Sequence, residues 1–476
     1  METPPSSSFQ GRKIYTLLQG LFTLFHDSGK QLYLVGGCVR DVLMGRDTSD
    51  YDMATDAGPE ETVGILASAG YTVIPLGIEF GTVGTLAGAD ENEQVQITTF
   101  RTEESYRKGS RHPDVVFGNE LEEDLQRRDF TVNCMAMDSM GRVIDPLNGQ
   151  GDLEAGILRT PLDPGVTFRE DPLRMLRAYR FSCRLGFDLD RSVAEAICNR
   201  HALILEISKE RWKMEMDRLL TVSDGEAVAA TLDTMRRHGI LQDMIPELEP
   251  VFSQDHLPQG PAHYGSIWLH TLDVITEIPP ETCLRWSALL HDIGKPLCRT
   301  EDDDGRPHYY DHQEKGRELA LQVAERFRFS RKERNCVCFL VSHHMRPVLY
   351  SDEWSERAVR KLAVEAGEYL QPLLKLARSD IAAHSEHYAV EGSKRMDELE
   401  ERLHIIAPSL NKRVLPGELG HALHKLVGSE LESEAQIGDI LERLRELVFN
   451  GKLREMEKPE YYLEYLRGDQ DNDTGD

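Results

Sequence analysis

No stretch of this sequence approaches the roughly 18 apolar residues that a membrane-spanning helix needs, and residues 1–10 are polar, without the apolar core of an export signal. Cysteine is sparse: eight residues are scattered over 476, none in a C-x-x-C pair. Cys336 and Cys338 are too close together to form a zinc knuckle and have no second pair. The thiols therefore read as reduced, mostly buried small residues of a cytoplasmic protein. Internal repeats are lacking, which removes solenoids and arrays. Positive charge is also short, with 55 Lys and Arg against 82 Asp and Glu and a net charge of −27. That balance tells against a general nucleic-acid binder, and DNA and membrane surfaces are not expected partners.

What is present suits several packed units, because 476 residues exceed one core and 40% of them are hydrophobic. The acid excess is uneven. Arg159, Arg169, Arg174, Arg177, Arg180 and Arg184 face only three acids between positions 159 and 184. A basic groove can thus sit on an acidic body, since phosphate responds to the local field. The acidic end, 468–476, is expected to be disordered.

The expected fold is α+β: an α/β head over 1–150, then a helical neck over 151–252. A histidine-rich helical unit follows over 253–390, and a helical tail over 391–476. In the head a helix is predicted over 13–28 and strands over 32–35, 71–75, 83–87 and 95–100. Residues 254–264 read as a linker, and 101–113 as a mobile loop over the site.

Leu32-Tyr33-Leu34-Val35-Gly36-Gly37-Cys38-Val39-Arg40-Asp41 reads as strand, glycine turn and helix. Such a turn lets the backbone approach a phosphate, and Arg40 adds a planar cation. Asp50-Tyr51-Asp52 follows; on a strand, positions two apart share a face, so both carboxylates point away from Tyr51. Two converging carboxylates suit Mg²⁺, which phosphoryl transfer requires. Arg128 and Asp129, in Arg127-Arg128-Asp129-Phe130-Thr131-Val132-Asn133, are candidates for holding triphosphate and ribose.

These motifs, with Glu170-Asp171-Pro172-Leu173-Arg174-Met175-Leu176-Arg177-Ala178-Tyr179-Arg180-Phe181, resemble the class II CCA-adding enzymes and bacterial poly(A) polymerases, over roughly residues 30–220. The resemblance implies a polymerase-beta-like nucleotidyltransferase head in which Asp50 and Asp52 hold metal and Gly37, Arg40 and Arg128 bind nucleotide. Cys134 stands where the family more often has alanine.

The segment 170–181 is predicted to be helical, placing Asp171 and Arg174 on one face. An Asp acceptor beside an Arg donor complements the amino donor and ring-nitrogen acceptor shared by cytosine and adenine. Uracil and guanine present the reverse order, at roughly 1–3 kcal/mol per mispaired buried group. The resemblance makes this pair a protein template, with Arg177 and Arg180 as phosphate or base-positioning contacts and Glu210-Arg211 bracing the neck.

Farther on come His270, the adjacent His291-Asp292, His312, the pair His343-His344, and Asp380. Mixed imidazole and carboxylate ligands suit Mn²⁺, Ni²⁺ or Co²⁺, with Mg²⁺ also possible. The ordered set resembles the HD phosphohydrolases. That resemblance assigns His270, His291, Asp292 and Asp380 to one metal, with His312 and His343 completing or seconding the site.

The sequence thus points to an Mg²⁺-dependent transferase adding C and A from CTP and ATP to the 3′ end of tRNA, with a fused metal-dependent phosphohydrolase. An A-adding enzyme shares every motif. A poly(A) polymerase usually carries a more basic tail. An HD hydrolase with a non-catalytic RNA-docking head has no use for the paired carboxylates Asp50 and Asp52.

Overall fold

The computed structural model describes residues 13–470 except 49, 88–92, 107–112, 255, 258, 260–264, 411–414, 426–434 and 450–451. It has a mixed α/β head and is mostly helical thereafter, as expected. The chain forms two compact units, Met1–His344 with Ala382–Ser385, and Met345–Ile381 with Glu386–Asp476.

The head is built on strands β1 (Leu32–Val35), β2 (Tyr51–Thr55), β3 (Val73–Gly77), β4 (Thr82–Ala87), β5 (Glu93–Thr99), β8 (Ala136–Met137) and β9 (Val143–Ile144), in the order β3-β4-β5-β2-β1-β8-β9. Only β2 and β5 are parallel, with Asp52 opposite Gln96. That pairing needs a crossover, which the helix Pro59–Ser68 begins. Along β2 the side chains alternate: Tyr51 and Met53 enter the core formed with Leu21, Phe25, Leu66 and Ile97. Ala54 joins Val35, Phe100 and Leu125 on the other face, the face of Asp52. The first helix, Lys13–Asp27, agrees with expectation to one residue.

Two expectations are corrected here. Residues 101–113 are flanks of an antiparallel hairpin, β6 (Arg101–Tyr106) with β7 (Pro113–Phe117), rather than one loop; 107–112 lie outside the described residues. The helix expected over 170–181 is broken. One helix ends at Glu170 and the next is Leu173–Leu185, because Pro172 has no N–H to continue the first and forces Asp171 extended (φ −141°, ψ 97°).

Packing continues across residue 252. Trp286 Nε1 donates to Asp217 Oδ1 at 2.7 Å, and Phe327 packs edge-on against Trp286 and beside Trp212, at 5.0 and 5.7 Å. Lys213 bridges Asp217 and Glu333 at 2.5 and 2.7 Å. Gly225 lies so near Thr276 that a Cβ there would sit 2.3 Å from its carbonyl oxygen. Burying each tryptophan contributes roughly 3 kcal/mol, so the neck helix Lys209–Leu220 and the helix Thr282–Leu290 share one core.

In the second unit, Arg378 pairs with Asp397 and Glu400 across the helices Leu370–Ala382 and Glu386–Leu410, each at 2.7 Å. A smaller core gathers Leu419, Leu423, Leu444 and Tyr462. The last helix, Pro459–Gln470, takes in the first three residues of the tail expected to be disordered; 471–476 lie outside the described residues. Among the described residues no helix is long and apolar enough to cross a membrane. All eight cysteines are free, five of them buried.

Candidate functional site

Gly36 closes β1 at φ 76°, a left-handed conformation that penalises any side chain, and a Cβ there would lie 2.9 Å from Arg128 Nη1. The glycine at this turn lets the backbone and the Arg128 guanidinium approach closely. Gly37 begins the short helix Gly37–Leu43. Arg40 on that helix is 3% exposed and already engaged, donating to Asp41 Oδ1 at 2.7 Å and to Asn133 Oδ1 at 2.5 Å. It braces the cleft from within rather than standing as a free cation.

Asp50 is exposed just before β2, and Asp52 is half-buried on it. Burial, and then the charge of Asp50, push the Asp52 carboxyl up to about 6, against the pull of Arg128. A carboxylate pushed up by burial and by a neighbouring carboxylate is what a divalent cation relieves, so this donor set fits one.

Asp124, which is 1% exposed, organises the arginines opposite. Its Oδ1 accepts from Arg127 Nη2 at 2.7 Å and its Oδ2 from Arg128 Nη2 at 2.9 Å. Burial alone would raise this carboxyl, but Arg128 and Arg127 hold it down to about 2. Sequence reasoning gave Asp124 no role. The signal was its position three and four residues before the two arginines, one helical turn.

Asp129 has no lone-pair direction left for a ribose. Its Oδ1 accepts from the Phe130 amide and Asn133 Nδ2, both at 2.9 Å, and its Oδ2 from Arg177 Nε and Nη2. The expected ribose contact is thus replaced by a tie between head and neck. Arg180 likewise turns inward, to Glu215 at 2.5 Å, with Arg177 3.9 Å from the same carboxylate. Glu215, 1% exposed, is a second residue that sequence reasoning missed; it lies four residues past Arg211 on the same helical face.

Asp171 and Arg174 are both held yet unsaturated. Asp171 caps the Leu173 amide at 3.1 Å and accepts from Arg211 Nη2 at 3.0 Å, which bears out the bracing role of that arginine. Arg174 Nη2 donates to the Arg127 carbonyl at 2.6 Å. Carboxylate lone pairs and guanidinium N–H groups remain on each. With Gly37, Asp50, Asp52 and Arg128 they line one cleft of about 940 Å³, where nine arginines stand against six aspartates on a protein of net charge −27.

The histidine cluster centres on Asp292, which is 2% exposed. His291 Nε2, His312 Nε2, His344 Nε2 and His270 Nε2 lie 3.2, 3.5, 3.6 and 3.8 Å from its oxygens. The Nδ1 atoms of His291, His312 and His344 face the carbonyls of Ala288, Tyr309 and Val341 at 2.7–2.8 Å. In His312 and His344 that contact fixes the proton on Nδ1, so two bare Nε2 atoms meet 3.3 Å apart. Facing lone pairs beside a carboxylate fit a cation. Burial pushes His312 down to about 4, leaving it in the neutral, ligating form.

The expected His343 is a correction: its ring turns away and stacks on Phe339 at 4.1 Å, because it ends the helix Arg331–His343 one position short of the cluster. Lys295 Nζ, 2.6 Å from Asp292, is a further residue that had no role assigned. Gly294 permits the cluster, since a Cβ there would meet the His312 carbonyl at 2.2 Å. Asp380 stands on the helix Leu370–Ala382, in the second unit.

Comparison with known proteins follows these sites. Residues 32–159 match the Poly A polymerase head domain, residues 186–252 the probable RNA and SrmB-binding site of polymerase A, and residues 268–446 the HD domain. The latter and the head are both domains that use divalent metal. A CCA-adding enzyme of Lactobacillus helveticus is 38% identical over 286 residues, 60% of this chain and 69% of that protein. One of Bacillus pumilus is 38% identical over 269 residues, 56% of this chain and 61% of that protein. The chain spans about six-tenths of the length of such relatives, 62% for one from Geobacillus thermodenitrificans. The fold is similar to that of Bacillus stearothermophilus CCA-adding enzyme in complex with CTP, with a TM-score of 0.64 and 25% identity over 99% of this chain and 100% of that one. It also resembles Thermotoga maritima CCA-adding enzyme complexed with tRNA-CCA, with a TM-score of 0.52 and 19% identity over 98% and 100%.

Proposed function

Since the chain belongs to the family of CCA-adding enzymes, we propose that it adds C and A to the 3′ end of tRNA, consuming CTP and ATP and releasing pyrophosphate. The observation that carries this reading is the cleft that Asp50, Asp52 and Arg128 of the head line together with Asp171 and Arg174 of the neck. Asp50 and Asp52 would hold Mg²⁺, which when bound supplies charge neutralisation at the triphosphate and acidifies the attacking 3′-hydroxyl. Gly37 and Arg128 bind the triphosphate, and Arg40 keeps Asn133 and Asp41 in place beneath it. Asp171 accepts from the amino group of cytosine or adenine while Arg174 donates to the ring nitrogen. Arg211, Arg177 and Arg180 position that pair through Asp171, Asp129 and Glu215. A mispaired UTP or GTP leaves two buried groups unsatisfied, at roughly 1–3 kcal/mol each, a tenfold or larger penalty.

The second activity is hydrolysis of a phosphoester at Asp292, His312 and His344 with His270 and His291, using Mn²⁺, Ni²⁺, Co²⁺ or Mg²⁺. Asp380 joins this set by its order in the motif. A cytoplasmic location fits substrates of this kind.

The test uses purified protein, Mg²⁺ and tRNA transcripts ending before CCA, after C and after CC, with 3′-end sequencing. Completion of CCA on all three is expected. A single A on only the CC-ended RNA makes it an A-adding enzyme, long A tails a poly(A) polymerase, and no addition overturns the transferase reading.

A further inference from the structure

Most arginines of the cleft are spoken for. Arg40, Arg127, Arg128, Arg177, Arg180 and Arg211 each hold a carboxylate of this chain, at 2.5–3.0 Å. Their charge is spent in shaping the site, and little of it is left to attract a polyanion. Two arginines at one end of the cleft differ. Arg184 is exposed, and its guanidinium has no carboxylate partner among the described residues. Arg218 is 54% exposed, and its nearest acid, Glu215, is 3.7 Å away and already committed to Arg180.

Their positions follow from two helices that run along the cleft. Arg174, Arg177, Arg180 and Arg184 recur at three- and four-residue spacing on Leu173–Leu185, which puts them on one stripe. Arg211, Glu215 and Arg218 do the same on Lys209–Leu220. The two stripes meet as a ladder: Arg211 with Asp171, then Glu215 with Arg180 and Arg177. Beyond these two rungs come Arg218 and Arg184, both cationic, with the exposed Ser223 at the turn that follows. Arg184 is ten residues from Arg174, about 15 Å along the axis at 1.5 Å per residue. A triphosphate held beside Arg128, where Arg174 touches the Arg127 carbonyl, does not extend so far.

We propose that Arg184 and Arg218, with Ser223, bind backbone phosphate of the RNA strand being extended, a subsite separate from the nucleotide's triphosphate. This rests on the transferase reading above. It also reconciles a net charge of −27 with an RNA substrate, since two exposed arginines lining a cleft, Arg184 with no carboxylate partner among the described residues and Arg218 3.7 Å from a carboxylate it shares with Arg180, act locally.

The experiment measures Arg184→Gln, Arg218→Gln and the double variant in the full chain, with a tRNA transcript lacking CCA. Two readouts are taken: KM for RNA and for CTP, and direct binding of fluorescent transcript without nucleotide over a salt series. The expected result is a rise of roughly three- to tenfold per arginine in RNA KM and Kd. The salt slope should fall by about one per arginine and CTP KM stay within about twofold, with Arg184→Lys restoring RNA binding. A raised CTP KM with unchanged RNA binding would overturn the proposal, as would unchanged values throughout. If the wild-type protein extends no RNA, the transferase reading fails, and the nucleotide-free binding series still decides whether these arginines grip the strand.

Discussion

Arg177 donates two hydrogen bonds to one oxygen of Asp129, at 2.8 Å from Nε and 2.5 Å from Nη2, and so ties a neck helix to the head. Burial would raise the Asp129 carboxyl, yet Arg177 and Asn133 hold it down to about 2. Arg177→Ala leaves this 8% exposed carboxylate without its countercharge. The expected loss is roughly 2–4 kcal/mol, partly recovered by Arg177→Lys. Urea unfolding measures it, and a midpoint equal to wild type would show that the tie contributes nothing.

Asp124 gives a pH signature of defined sign. Its folded pKa of about 2 lies below the roughly 3.9 of an unfolded aspartate, so the unfolded chain binds more protons between these values. The stabilisation is complete above about pH 5 and is lost as pH falls through 4 toward 2. Asp124→Asn is therefore expected to be less stable at pH 7 and to lose stability less steeply from pH 5 to 3. Thermal midpoints across that range test this, and parallel curves for both proteins would count against it.

Asp50→Asn and Asp52→Asn should each cut nucleotide addition by roughly a thousandfold, the equivalent of about 4 kcal/mol of transition-state charge stabilisation. Hydrolysis of a chromogenic phosphodiester should persist, because the Asp292 cluster shares no residue with that cleft. Loss of both activities together would mean that the two sites act as one.

The neighbouring histidines separate cleanly. His344→Ala removes an Nε2 that faces Asp292 at 3.6 Å, whereas His343→Ala removes a ring stacked on Phe339. Metal content after loading with Mn²⁺, read by mass spectrometry, should drop for His344→Ala and hold for His343→Ala. The opposite pattern would move the site to His343.

Arg211→Gln tests positioning of the base-reading pair. It frees one oxygen of Asp171 while leaving the Leu173 cap intact. The ratio of C to U incorporation should fall about tenfold, matching roughly 1.4 kcal/mol of lost orientation. A uniform fall in rate with that ratio unchanged would assign Arg211 a purely structural part.

Much of this site could be read in the chain, because its chemistry is local. Gly36-Gly37, Asp50 with Asp52, and His291-Asp292 each sit within a few residues, so proximity in sequence brings their side chains to one site, although Asp50 falls one residue short of the strand on which alternation was expected to set its face. What escaped depends on packing between segments distant in sequence. Nothing around Asp129 or Arg180 says that Arg177 lies 48 residues from its partner or that Glu215 lies 35 from Arg180. The choice of His344 over His343 turns on where one helix ends, a matter of one residue. The break at Asp171 was legible, since Pro172 announces it, but the apolar periodicity on either side masked it.

The seam between the neck and the histidine bundle carries its own optical gauge. Trp212 and Trp286 are wholly buried there, both against Phe327. Indole emission shifts to the red when water reaches the ring, so the fluorescence spectrum reports whether the neck and the histidine bundle move as one body. A ligand that loosened their junction during turnover would register as a colour change, with no label attached.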